Sequence, residues 1–207
     1  MKGILFKPDM IQAIIEGRET QTRRLSGLKE INEEPNDWEL VIGSNMDSLV
    51  WLFRNSLSEI LDVKPRYQVG ETVYIKEAWA TEKQYDHLKP SEIPDIAKIF
   101  YASDGVGEWP IELSIGRLRS ALHLPEEFAR YFILIKDVRA ERLQDIIASD
   151  SDMRAEGIPL LIFDNNRTDW GEMAYQFENI WNCVNKDYPW ASNPWCFVYT
   201  FQEEKMK

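Results

Sequence analysis

Cysteine and histidine are scarce in this 207-residue chain, with two of each. Cys183 and Cys196 show no ligand spacing, and only His87 and His123 could join them. A Cys/His zinc site is therefore not expected, nor any other metal or cofactor. Two thiols without a disulfide framework fit a reducing compartment, and the cytoplasm is the expected location. No apolar run approaches the ~20 residues of a membrane span. Met1–Lys7 holds no apolar core of signal-peptide length. No membrane partner is expected. Positive charge is also in deficit: 24 Lys and Arg face 35 Asp and Glu, a net −11. That balance argues against indiscriminate coating of nucleic acid. Glycine-rich phosphate loops, a nucleophile elbow and a HExxH helix are missing as well, which removes the enzyme classes that depend on them.

Aromatic residues are plentiful. They make up 12% of the chain, eight of them Trp, within a hydrophobic share of 44%. Such a composition excludes a disordered chain. The length favours one domain over residues 1–207, able to bury about 70% of its unfolded surface without disulfide or metal. Gly3 to Phe6 reads as a strand. Pro8 opens a helix with Met10, Ile11, Ile14 and Ile15 on one stripe, and Gly17 stops it. Thr72 to Trp79, Tyr131 to Arg139 and Trp195 to Phe201 read as strands. Leu143 to Gly157 suits short helical turns. Asp169 to Val184 predicts a helix with Trp170, Met173, Phe177, Ile180, Trp181 and Val184 on its apolar face. Strands and helices alternate irregularly, which predicts an α+β fold rather than a doubly wound sheet.

The negative charge is concentrated. Residues 31–63 hold one basic and seven acidic side chains, and residues 81–115 three and seven. Both stretches read as acidic insertions; the first carries an amphipathic segment over about 46–61, the second a short strand at 98–102. Residues 1–30 run the other way, with six basic against four acidic. A small basic cleft is therefore compatible with the global charge.

Four constellations are candidates for chemistry. In Gly17-Arg18-Glu19-Thr20-Gln21-Thr22-Arg23-Arg24, an extended backbone puts Thr20, Thr22 and Arg24 on one face, a cradle for an anion or a base edge. A solvated connection is the plain alternative. Glu77 beside Trp79 suits a nucleoside pocket, with the carboxylate on a base edge and the indole as a stacking wall; a core Trp with a structural ion pair is the plain alternative. Arg119 and His123 are the polar members of an apolar stretch, His123 being able to act as acid, base or donor, or simply as a structural hydrogen-bonder. Trp190 and Trp195 flank a turn and suit a hydrophobic seal better than a base stack.

Seven segments in order carry a family resemblance: GRETQTRR at 17–24, YQVGETVYIKEAWA at 67–80, RLRSALHLP at 117–125, DVRAERLQDI at 137–146, AEGI at 155–158, FENIWNCVN at 177–185 and NPWCFVYTF at 193–201. Together they resemble the ASCH-domain family of the PUA-like superfamily, and within it the long phage and prophage members. The resemblance implies a small β-barrel flanked by helices, with a cleft beside the loop after the first helix that binds RNA or a modified nucleoside. DNA is a further candidate ligand, and an acidic surface presented to a protein partner a further role. Arg18, Thr20, Arg24, Glu77, Trp79, Arg119 and His123 are the implied ligand contacts. One branch of the family is similar to amidohydrolases acting on N4-acetylcytidine. There Thr22 would match the nucleophile and Glu156 the proton carrier, while Glu19 stands where that branch has Lys. A threonine hydroxyl needs an activating base, and Lys76 is the substitute this chain offers. Binding and hydrolysis both remain open from the sequence.

Overall fold

The computed structural model describes residues 1–42, 50–105, 114–158 and 170–204. In chain order its strands are β1 (Gly3–Leu5), β2 (Gln21–Arg24), β3 (Trp38–Ile42), β4 (Trp51–Asn55), β5 (Ile60–Val63), β6 (Thr72–Lys76), β7 (Trp79–Ala80), β8 (Phe100–Tyr101), β9 (Phe132–Arg142) and β10 (Trp195–Glu204). Its α-helices are α1 (Pro8–Ile15), α2 (Asp150–Ala155) and α3 (Trp170–Val184), supplemented by short 3-10 turns. The fold is mixed α+β and rich in sheet, as expected. Among the described residues, no helix is long and apolar enough to cross a membrane.

The chain divides into two units. The first takes residues 1–17, 72–134 and 203–207. Here β1 lies parallel to β6, with Ile4 opposite Ile75. Strand β6 runs antiparallel to the start of β9, with Val73 opposite Ile133. These four side chains are buried, so the period-2 apolar face faces inward. Helix α1 starts at Pro8, whose missing N–H is no loss in a first turn, and buries Ile11, Ala13 and Ile14. Gly17 ends it with a φ of +71°, a conformation that strains any residue bearing a Cβ. The strand expected over 72–79 is interrupted at Glu77 and Ala78. Beyond the break, Trp79 and Ala80 form β7 and pair with β8, Trp79 opposite Tyr101. The Trp79 N–H donates to the Arg119 carbonyl at 3.2 Å, and the Ala78 carbonyl accepts from Ala102 at 2.8 Å. The chain thus changes ladder, and Trp79 becomes the centre of a core with Ile93, Ala97, Leu124 and Phe128.

The second unit takes residues 18–71 and 135–202. The rest of β9, then β10 and β2, lie side by side. Strand β2 is antiparallel to β10, with Thr22 opposite Tyr199 and Arg24 opposite Phe197. Strands β3, β4 and β5 form a separate antiparallel sheet within the first acidic stretch. The amphipathic segment expected at 46–61 is, where described, the hairpin β4–β5; residues 46–49 lie outside the described residues. Asn55 makes the turn, its Oδ1 accepting from the N–H groups of Leu57 and Glu59, while Ser58 takes a φ of 65°. Trp51 and Phe53 point inward at strand spacing, edge-on to Phe197 and Trp195 respectively. On α3 the buried stripe is Met173, Phe177 and Trp181, at i, i+4 and i+8, packed with Leu143, Ile146, Cys196 and Val198. Ile180 and Val184, expected on that face, are exposed. The Trp190–Trp195 turn is structural: Trp190 packs edge-on to Phe177, and the Trp195 indole N–H donates to the Pro35 carbonyl at 3.2 Å.

Candidate functional site

The GRETQTRR segment enters β2 under tight backbone control. The Thr20 N–H donates to the Ala155 carbonyl at 2.8 Å, and the Thr20 carbonyl accepts from the Phe201 N–H at 2.8 Å. Glu19 and Glu156 pair as an isolated antiparallel bridge. Positions far apart in sequence, the start of β2 and the end of α2, are thereby set side by side.

One side of this junction is an ionic cluster. The Arg23 side chain is sealed from solvent and donates to Glu156 Oε1 at 2.5 Å and Glu141 Oε2 at 3.1 Å, with Asp152 at 3.5 Å. Arg139 donates to Gln21 Oε1 at 2.9 Å and to Asp152 Oδ2 at 3.0 Å, and also pairs with Glu141. Burial pushes the Glu156 carboxyl above its ordinary pKa, against the opposing pull of Arg23. Arg24 is half-buried near Tyr67, Glu19 and Glu156, and burial lowers its pKa. Thr22 is buried between its neighbours on β2.

The other side is an open cleft of about 400 Å³, lined by Arg18, Thr20, Ser151, Arg154 and Ala155. Arg18 and Thr20 were expected from the sequence. Arg154 and Ser151 were not, because exposed polar residues on a six-residue helix look like any solvated surface. The cleft's volume is in the range of small-molecule sites. Neither Thr22 nor Glu156 lines it.

The remaining expected residues lie in the first unit, where each has a structural partner or a surface position. Glu77, 1% exposed, takes a bidentate pair from Arg130, Nε to Oε1 at 2.9 Å and Nη2 to Oε2 at 3.0 Å, and a hydrogen bond from Ser103. Arg119 stacks over the Trp79 indole at 5.3 Å and donates to the carbonyls of Leu88 and Tyr85 at 3.0 and 2.8 Å. Lys76 Nζ donates to the Leu122 carbonyl at 2.8 Å. His123 ends a 3-10 turn, exposed. Arg130 and the Arg139–Glu141 pair were missed; the i, i+2 alternation of Asp137, Arg139 and Glu141 on a strand was the signal for the latter. Among the described residues no cluster of three or more His, Cys, Asp or Glu could hold a metal ion. In comparisons with family models, curated proteins and solved structures, the chain matches none.

Proposed function

We propose that this chain is a long ASCH-type protein of the PUA-like class, and that it binds RNA or a modified nucleoside in the cleft beside β2. The barrel of that class belongs to the proposal; among the described residues the ladders are open in order. One observation carries the reading: the Glu19–Glu156 bridge brings the GRETQTRR and AEGI segments together at the wall of an open cleft. These are the two segments the resemblance assigns to a ligand site, and nothing local in the sequence requires them to meet. The test is a titration of the protein with short RNA and DNA oligonucleotides and a panel of plain and modified nucleosides. Saturable binding to RNA or a nucleoside is expected. No binding across the panel removes the reading, and a partner retained equally after nuclease treatment in a pull-down replaces it with a protein-interaction role.

Binding is favoured over amide hydrolysis by the geometry of the same residues. Glu156 is engaged by Arg23, Glu19 stands at the lysine position, and Thr22 is buried away from the cleft. Incubation with N4-acetylcytidine should therefore yield no cytidine. Turnover that Thr22→Ala abolishes would reverse this choice.

A further inference from the structure

Helix α2 has two chemical faces. Asp152 and Glu156, four residues apart, share the side that meets Arg23 and Arg139. Ser151, Arg154 and Ala155, three and four apart, share the side that lines the cleft. The Thr20–Ala155 backbone bond holds this second face against the wall carrying Arg18 and Thr20. Among the described residues, the lining consists of two arginines, a threonine, a serine and an alanine, with neither a carboxylate nor an aromatic ring. The Glu156 and Asp152 carboxylates are taken by Arg23 and Arg139 respectively. The Arg154 guanidinium forms no ion pair among the described residues.

A base is held by stacking on rings and by edge contacts, and among the described residues this cleft has no ring to stack on. A tetrahedral phosphate instead wants several N–H and O–H donors on a positive surface, and guanidinium groups fit its oxygens in pairs. Building on the ligand class proposed above, we infer that the cleft is a phosphate subsite: Arg18 and Arg154 hold the anion from its two walls, and Thr20 and Ser151 supply hydroxyl donors. The ligand is then a nucleotide or a phosphorylated nucleic-acid end rather than a bare nucleoside. The chain's net charge of −11 reinforces this choice. A long polyanion meets acidic surface elsewhere, whereas one phosphate reaches a local basic pocket.

The test compares four nucleosides, their 5′-monophosphates and inorganic phosphate by calorimetry or NMR titration at fixed low salt. Wild type, Arg154→Ala and Arg18→Ala are measured in parallel. At least one monophosphate should bind about tenfold or more tightly than its nucleoside. Inorganic phosphate should compete with it, and each arginine variant should erase most of the difference while its melting temperature stays at the wild-type value. Equal binding of nucleoside and monophosphate, unchanged by both substitutions, overturns the phosphate subsite and leaves nucleoside binding standing. Arginine-dependent binding of inorganic phosphate, with no gain from any nucleoside portion, does the reverse. Binding of none of these probes overturns both.

Discussion

Each unit buries guanidinium against carboxylate, and the two clusters are built to different ends. In the first unit Arg130 is satisfied on its edges by Glu77 and Asp104, while the Tyr101 and Tyr131 rings lie 4.0 and 4.8 Å from its carbon. Its donors and the ring faces beside it are thus committed to protein groups, while about a quarter of the side chain stays exposed. In the second unit Arg23 and Arg139 share Glu141 and Asp152, Arg23 also holds Glu156, and two further arginines, Arg18 and Arg154, are exposed and line an open cleft. A buried charge cluster by itself marks a scaffold as readily as a site. Arginines displayed beside an opening, next to a cluster that engages Glu141, Asp152 and Glu156, are what distinguish the second.

Breaking the second cluster should cost the most. Arg23→Ala leaves Glu156, with a side chain 5% exposed, without its guanidinium. Removing one partner of a buried pair costs about 3–5 kcal/mol, read as a drop in unfolding free energy in urea. The Glu156 carboxyl, already raised by burial, rises further without Arg23. Its protonated form then relieves part of the loss, so the variant should be nearer to wild type at pH 5 than at pH 7. A loss below about 1 kcal/mol at neutral pH would show that Arg23 is no clamp.

The first cluster should break more gently. Glu77→Gln keeps volume and an acceptor, and Arg130, about a quarter exposed, keeps Asp104. A cost of about 1–3 kcal/mol is expected for a lost charged hydrogen-bond pair. If Glu77→Gln destabilises as much as Arg23→Ala in the same urea titration, the contrast between a self-sufficient and a shared cluster is gone.

Much of this architecture was legible in residue order, and the exceptions have physical causes. Helices α1 and α3 and strands β9 and β10 follow from apolar periodicity, because each buries one face in a core. The hairpin at 51–63 was obscured because an apolar-rich segment fits either period until its turn is seen. Asn55 and the positive φ at Ser58 supply that turn. The break at Glu77 depends on Arg130, more than fifty residues on, so nothing adjacent announces it. At the candidate site Arg18 and Thr20 stood out as a motif. Ser151 and Arg154 gain meaning only through the backbone bond that lays α2 against β2.

The smallest expected effect tests whether the second cluster has a dry inner wall. Cys196 is fully buried, its thiol donating to the Glu141 carbonyl at 3.5 Å, and Cys183 is exposed on α3. Burial pushes the Cys196 thiol up to about 12, from 9.0 as an ordinary thiol. A pKa raised on folding adds stability that is complete below the unfolded value and fades as pH climbs to the folded one. Wild type should therefore lose stability between about pH 9 and 12 more steeply than Cys196→Ala, which has no such thiol to ionise on unfolding. At pH 8 a disulfide reagent should label one thiol at once and the second only as fast as the chain unfolds. Two thiols reacting at one rate would mean that water reaches the wall behind Arg23 and Glu141, and the sealed cluster that frees Arg154 for a ligand would lose its physical basis.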